Sequence, residues 1–142
     1  MNDDFETLLT FTAPAQAAFD AMTDPDLLST WWTACTGSGA AGGELTFRFN
    51  SHNIKRFHVE EAASPSLVRW TCLESVRQPE WVGTQIITAI TPQPGGGSQM
   101  HFRHQGLTPA LECYQECSRG WAVFYPRLVD LVNASARAIL AE

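Results

Sequence analysis

Two histidines in one predicted strand are the residues whose chemical type best suits them to bind or transfer a proton. His101 and His104 lie in SQMHFRHQG, residues 98–106. Residues three apart on an unbroken strand point to opposite faces, so the pair cannot chelate one metal ion. His104 shares its face with Met100 and Phe102 and is predicted to point inward. It is either a hydrogen-bonded core histidine or an acid/base or ligand donor in a cavity.

The four cysteines, Cys35, Cys72, Cys113 and Cys117, are predicted to be reduced thiols. None belongs to a CxxC pair or to a zinc-type spacing. Cys113 and Cys117 are four apart on a predicted helix, which is poor geometry for a disulfide, and no further metal ligands lie nearby in the sequence. Packing is therefore the favoured role for this pair, and no metal site is predicted.

The sequence has no GxSxG and no HExxH, the motifs that position a nucleophile and a zinc ion, respectively. We therefore expect no cofactor and no catalytic residue that a motif would identify, and whether the protein is an enzyme stays open.

The predicted elements that position these residues make an α+β domain. A strand over 5–12 leads into two short helices over 13–22 and 23–32, and a glycine-rich stretch over 33–43 is typical of a mobile loop. Alternating apolar residues then predict strands over 43–50, 54–62, 66–74, 83–91 and 98–106. From Leu111, apolar residues at spacings of three and four, reaching Ile139, predict one long amphipathic helix. The expectation is about six antiparallel strands and a long C-terminal helix.

Composition limits the domain count and the class of partner. The 142 residues fit a single domain, residues 1–142. A net charge of −6 with a pI near 5.1 argues against nucleic acid or an anionic membrane as the main partner. The acidic start MNDDFETLL and the lack of a long apolar run predict a cytoplasmic protein with no membrane insertion.

The order of elements and its landmarks resemble the START-like, helix-grip superfamily (SRPBCC), and within it the family of homologues of the activator of heat-shock protein 90 ATPase. The matching segments are FTAPAQAAFDAMTDPDLLSTWW, GGELTFRF, VEEAASPSLVRW, HQGL at 104–107 and GWAVFYPRLVDLV at 120–132. The resemblance implies a curved antiparallel sheet that grips the C-terminal helix, with a cavity between them. SHN at 51–53 departs from the glycine-bearing turn that is common after the second strand of this family.

Two adjacent tryptophans, Trp31 and Trp32 in LLSTWWT, must point about 100° apart on a helix. One is predicted to pack on the C-terminal helix while the other faces the cavity mouth beside the glycine loop, and the sequence does not say which. The alternative is that both simply seal the core. Trp81, in QPEWVG between two strands, is predicted to close over the cavity.

The expected cavity lining combines inward residues of the strands with residues of the long helix. The ligand-binding residues predicted are Trp31, Trp32, Phe47, Phe49, Phe57, Trp70, Trp81, Phe102, His104, Trp121 and Tyr125. Space is expected near the first half of the helix, where Gly120 removes bulk.

Three functions follow from this interpretation. The leading one is binding of a small apolar or aromatic molecule in the cavity. The second is an enzyme of the cyclase or aromatase type, with His104 as acid/base and Tyr125 or Tyr114 as hydrogen-bond donor. The third is a chaperone-interacting module, which ranks last because the family's eukaryotic activators are larger proteins. A homodimer is left open.

Overall fold

The computed structural model describes residues 3–141, with side chains described through residue 135, and it has one antiparallel sheet packed on helices. The sheet has seven strands in the order β1-β7-β6-β5-β4-β3-β2. The strands are β1 Phe5–Phe11, β2 Ala34–Gly37, β3 Glu44–Asn50, β4 Asn53–Ala63, β5 Leu67–Ser75, β6 Gln85–Pro92 and β7 Ser98–Gln105. The helices are α1 Ala15–Thr23, α2 Pro25–Trp31 and α3 Tyr114–Ala141, with a 3-10 turn at Pro79–Trp81.

The strands form because their apolar residues alternate, which gives the sheet one face that is buried. In β7, Ser98, Met100, Phe102 and His104 are buried and the residues between them are partly exposed. The same alternation in β3 to β6 turns their large apolar side chains toward α3. The predicted α+β helix-grip fold is confirmed.

The second short helix, α2, begins at a side-chain cap, whereas α1 begins after Pro14 with no side-chain cap. Asp24 precedes α2, its side chain accepts a hydrogen bond from the backbone N–H of Asp26 at 2.9 Å, and Pro25 takes the first helical position. The two helices pack on each other, and α2 ends beside Trp32. The C-terminal end of α2 therefore places Trp31 and Trp32 against the buried face of the sheet.

The glycine-rich segment differs from its prediction. Residues Ala34–Gly37 form β2, an edge strand paired with β3, so the sheet has seven strands rather than six and the loop prediction is wrong there. Gly39 packs so closely on α1 that a Cβ atom would lie 2.0 Å from the carbonyl oxygen of Thr23. Gly37, Gly39 and Gly43 therefore allow close backbone contact in this segment, whereas Gly42 has open space at its Cβ position and a positive φ.

The helix α3 begins three residues later than predicted and runs unbroken through Gly120 and Pro126. Its buried stripe is Cys117, Trp121, Tyr125, Leu128 and Val132, the spacing of one helical face. The backbone N–H of Thr12 donates to Oδ1 of Asn133 at 2.8 Å and so joins the end of β1 to this helix. Ile139, the last residue of the predicted stripe, lies outside the described side chains.

Within the described part of the chain, no helix is both long enough and apolar enough to cross a membrane.

Candidate ligand-binding pocket

A pocket of ≈ 210 Å³ lies between the sheet and the first half of α3. Its walls include five aromatic side chains and come from five separate segments of the chain. The lining residues are Trp32, Phe49, Asn53, Lys55, Gln78, Trp81, Glu116, Cys117, Gly120, Trp121 and Phe124.

The helix contributes one face of the pocket. Cys117, Gly120, Trp121 and Phe124 recur at i, i+3, i+4 and i+7, which places them on the same side of α3. A Cβ atom added at Gly120 would meet no other atom within 4 Å, apart from the helix's own backbone. The missing side chain at Gly120 therefore leaves open space, where the sequence predicted it.

The two adjacent tryptophans have different surroundings. Trp31 is fully buried, and its Nε1–H donates to the carbonyl oxygen of Ala21 in α1 at 2.8 Å. Trp32 lines the pocket, with its ring centroid 4.8 Å from Trp121 and 4.3 Å from Phe47. Trp32 therefore both contacts α3 and faces the pocket, whereas Trp31 packs against α1. The two roles that were predicted for separate tryptophans both belong to Trp32.

Trp81 forms a wall that the 3-10 turn holds against α3. Its ring stacks on Trp121 with centroids 5.8 Å apart, and its Nε1–H donates to Sγ of Cys117 at 3.1 Å. Trp81 is only 4% exposed, which is unusual for a residue in a connection between strands. It closes one side of the pocket, as its position in the sequence predicted.

The sequence interpretation missed Asn53, Lys55, Gln78, Glu116, Cys117 and Phe124 as pocket residues, and Lys55 is the buried charged one among them. It lies on the inward face of β4 with Phe57 and Val59 and is 3% exposed. Its Nζ donates to Oγ of Ser75 at 2.7 Å and to Oε1 of Gln78 at 2.5 Å. The same atom lies 4.1 Å from the centroid of the Trp81 ring, a cation–π distance.

Burial lowers the pKa of Lys55 to about 8, and the nearby thiols and Glu116 oppose this shift. The side chain therefore stays mostly protonated at neutral pH. The signal was present in the sequence, because the single lysine of the chain occupies an inward position of an alternating strand. A charge in such a position usually has a partner or a function.

His104 does not line the pocket but lies behind Trp81 and Trp121. Its Nδ1 accepts a hydrogen bond from Nε1–H of Trp121 at 3.2 Å, and its Nε2 lies 2.9 Å from Oγ1 of Thr84. The Thr84 hydroxyl donates to the carbonyl oxygen of Trp81 at 2.6 Å, so it must accept from Nε2–H. Burial, with a smaller contribution from the charge of Lys55, lowers the pKa of His104 to about 3. The histidine is a neutral core residue that aligns two tryptophans.

The other predicted ligand-binding residues form the packed layer beneath the pocket. The rings of Phe47, Phe57 and Trp70 contact one another with centroids 5.6 to 5.9 Å apart, and Phe102 packs edge-on against Trp121. Tyr125 is 8% exposed, its hydroxyl has no hydrogen-bond partner among the described residues, and burial raises its pKa. Of the predicted set, Trp32, Phe49, Trp81 and Trp121 line the pocket.

The pocket rim also differs in two places from the sequence interpretation. Asn53, the last residue of the SHN departure, begins β4 and lines the pocket, and its Oδ1 is buried without a partner among the described residues. The glycine segment, by contrast, lines a separate depression beside α1 together with Phe19 and Pro25. The prediction that it borders the mouth of the aromatic pocket is wrong.

Chemically, the arrangement offers an aromatic space bordered by one buried cation, Lys55, by the carboxylate of Glu116 and by the neutral polar side chains of Asn53 and Gln78. Among the described residues, no group of three or more His, Cys, Asp or Glu side chains is placed to hold a metal ion.

A family model described as Activator of Hsp90 ATPase homolog 1-like protein matches residues 12–133, which is most of the chain. Among the curated proteins, none is similar enough in sequence to count as a match.

Solved structures share the fold over nearly the full length. The solution structure of the Aha1 dimer from Colwellia psychrerythraea has a TM-score of 0.80 at 25% identity, covering 92% of this chain and 96% of that one. CalU16 from Micromonospora echinospora has a TM-score of 0.74 at 15% identity and covers 96% and 80%. PFC0360w, an HSP90 activator from Plasmodium falciparum, has a TM-score of 0.72 at 15% identity and covers 92% and 96%. At 15% identity the likeness shows the fold alone.

Proposed function

The chain belongs to the family of Activator of Hsp90 ATPase homolog 1-like proteins, and from that premise we propose that it binds a small aromatic molecule in the pocket between its sheet and α3. The observation that carries the proposal is the aromatic lining from Trp32, Phe49, Trp81, Trp121 and Phe124 around the open space at Gly120. Concave, mostly aromatic sites with a few polar groups are the usual form of small-molecule sites.

The size of the pocket limits the ligand class. At ≈ 210 Å³ it is smaller than the ~300–1,000 Å³ of typical ligand pockets but larger than the ~150 Å³ cavity known to accept benzene. A ligand with a single aromatic ring, or with two fused aromatic rings, fits this volume. Its affinity comes mainly from burial of apolar surface, at roughly 25 cal/mol per Å².

Titration with indole, followed by NMR of the tryptophan Nε1–H groups and the Gly120 amide, tests this function. Binding should shift the signals of Trp32, Trp81 and Trp121 and leave that of Trp31 nearly unchanged, because only the first three line the pocket. Gly120→Leu should weaken indole binding by about tenfold or more, since a leucine side chain fills the open space.

Gly120→Ala is the matched control, because it adds one methyl group and improves helix propensity by about 1 kcal/mol. Both variants should stay folded, which separates loss of the pocket from loss of the fold. Absence of shifts in the wild-type protein, or equal binding by the Gly120→Leu variant, would contradict the proposal.

Catalysis by His104 is not part of this function. Both ring nitrogens hydrogen-bond to the protein, and the low pKa leaves the ring without a proton to donate as imidazolium at neutral pH. A general acid or base must reach the substrate, and Trp81 and Trp121 lie between His104 and the pocket.

A second candidate function is stimulation of an Hsp90-type ATPase. It is supported by the family description and by the likeness to the Plasmodium falciparum HSP90 activator. The ATPase rate of an Hsp90 with and without this protein tests this function, and an unchanged rate would contradict it. The likeness to the Colwellia psychrerythraea Aha1 dimer supports a homodimer, which sedimentation velocity would detect. The cytoplasmic location stays a prediction.

A further inference from the structure

The chain carries nine basic side chains, and the single lysine among them is the one buried in the aromatic pocket. Three arginines of the described chain make ion pairs: Arg56 with Glu44 and Glu74, Arg69 with Glu61, and Arg103 with Asp4. Lys55 forms no ion pair within the described residues; its hydrogen-bond acceptors, Ser75 and Gln78, are neutral. A buried ammonium without a carboxylate is a costly arrangement that folding alone does not require.

Neutral acceptors orient the ammonium group but do not neutralise it. The Lys55 ammonium group donates to Ser75 and Gln78, which uses two of its three N–H bonds. Among the described residues it also lies near two aromatic rings, that of Trp81 at 4.1 Å and that of Phe49 at 5.9 Å. Aromatic rings attract a cation without giving it a counter-charge. The pocket therefore has a positive potential at its edge that an anion would complement.

The second polar group of the pocket lies two residues away on the same face of β4. Asn53 lines the pocket, and its Oδ1 has no hydrogen-bond partner among the described residues. Its side-chain amide can therefore turn to present Nδ2–H to a ligand without breaking a hydrogen bond made by Oδ1. Lys55 and Asn53 together can serve the two oxygens of one carboxylate.

Glu116 also lines the pocket and is the group that most directly opposes an anion. It is exposed to solvent on the first turn of α3, and it makes no ion pair with Lys55. Solvent screens an exposed charge strongly, whereas the buried ammonium is screened much less. The net electrostatic potential at the buried edge of the pocket therefore stays positive.

From this arrangement we infer that the pocket selects aromatic carboxylates, with Lys55 as the residue that determines specificity. The inference rests on the proposed function, because it assigns a chemical class to the ligand of the same pocket. The aromatic walls hold the rings, and the carboxylate pairs with the ammonium group of Lys55. Charge-assisted hydrogen bonds of this kind are about twice as strong as neutral ones.

Calorimetric titration with 2-naphthoate and 2-naphthamide tests the inference, because the two probes differ chiefly in charge. The wild-type protein should bind 2-naphthoate about tenfold more tightly than 2-naphthamide, as expected for one charge-assisted hydrogen bond. In Lys55→Met the two affinities should become equal within about a factor of two, while 2-naphthamide binding is retained.

Arg56→Met is the matched control. It removes the same charge from the neighbouring position of β4, on the outward side of the sheet, where Arg56 pairs with Glu44 and Glu74. The tenfold preference for 2-naphthoate should survive in this variant, which excludes a general effect of net charge.

A direct readout comes from the single lysine. Incorporation of ¹³C-labelled lysine during expression labels Lys55 alone and leaves its ammonium group unmodified, so the NMR signal of its Cε–H group can be followed by itself. Addition of 2-naphthoate should shift this signal, and 2-naphthamide should shift it much less.

Each outcome decides between the two proposals. If both probes bind with equal affinity to the wild-type protein, or if the preference for 2-naphthoate persists in Lys55→Met, the inference is wrong while the binding function stands. If neither probe binds, the proposed function itself fails.

Discussion

At the scale of single residues, two buried basic side chains contact Trp81 and differ in charge. Lys55 keeps its proton at neutral pH, its ammonium group lies over the ring of Trp81, and it lines the pocket. His104 is neutral, contacts the edge of the same ring and lies outside the pocket. Burial lowers the pKa of both, and only the lysine starts high enough to remain charged.

Lys55→Met should raise the free energy of unfolding at pH 7 by about 1 kcal/mol or more, because an apolar side chain of similar length replaces a buried charge. Loss of the hydrogen bonds to Ser75 and Gln78 offsets part of this gain. Since the pKa of Lys55 is about 8 in the folded state and 10.5 ordinarily, the unfolded chain holds more protons between those values. The wild-type protein therefore gains stability relative to the variant as pH rises through this window.

Urea denaturation at pH 7 and pH 9.5 measures both effects. The thiol of Cys35, whose pKa burial raises to about 12, has no contribution from Lys55 and cancels in the difference. Burial raises the pKa of Cys72 to about 11 while the charge of Lys55 opposes the shift, so without Lys55 this thiol is still mostly protonated at pH 9.5 in the folded state. A stability difference that does not shrink between pH 7 and pH 9.5 would show that Lys55 is not desolvated.

His104→Gln should lower the free energy of unfolding at pH 7 by about 1–3 kcal/mol, because a buried hydrogen-bond partner of Trp121 or Thr84 is lost. The folded-state pKa of about 3 lies below the ordinary 6.5, so below pH 6.5 the unfolded chain takes up a proton that the folded protein does not. Stability from this residue is therefore lost as pH falls from 6.5 toward 3. The difference in free energy of unfolding between the wild type and His104→Gln, measured by urea denaturation, should therefore be smaller at pH 4.5 than at pH 7. An equal difference at the two pH values would contradict a neutral core histidine.

At the scale of elements, α3 connects the pocket to the core. Trp121 contacts Trp32, Trp81 and Phe102 and donates to His104, so one side chain joins α2, the 3-10 turn and β7. One helical turn therefore both supports the sheet and forms a pocket wall.

Trp121→Ala should cost about 3–5 kcal/mol in chemical denaturation, because the side chain is 2% exposed and its removal leaves a large cavity. Val123→Ala, two residues away on the exposed face, is the matched control and should change stability by less than about 0.5 kcal/mol. A loss below about 1 kcal/mol for Trp121→Ala would mean that the sheet does not depend on this face of α3.

At the scale of the whole molecule, the pocket places a positive group inside an acidic protein. The net charge is −6, and the acidic residues that pair with arginines lie on the outward face of the sheet. If the pocket takes an anionic ligand, as we infer, the net negative charge of the protein repels that ligand and the buried ammonium group of Lys55 attracts it. This distribution favours selectivity over fast capture.

The four cysteines should titrate as four free thiols in denatured, non-reduced protein. The structure has all four as free cysteines, with Cys113 and Cys117 on neighbouring turns and Cys117 accepting from Trp81. Two equivalents or fewer in a thiol titration would mean that a disulfide forms in the native protein.

Much of the fold was predictable because its signals are local. Alternation within each strand, Asp24 and Pro25 at the start of α2 and the stripe of α3 all follow from neighbouring residues. The edge strand β2 was not predictable, because four residues among glycines have little pattern of their own and form a strand only by pairing with β3. The segment is a strand because it pairs with β3.

The candidate site shows the same division. The sequence by itself predicted an aromatic cavity beside Gly120 with Trp81 as a wall, because aromatic residues on inward faces and a glycine on a helix stripe are local features; four of the eleven predicted residues line the pocket. Only the tertiary structure decided that Trp32 rather than Trp31 faces the pocket, that His104 is enclosed by two tryptophans, and that Lys55 lies against Trp81. Those outcomes depend on which side chains from distant segments meet, and a pattern within one segment does not contain that information.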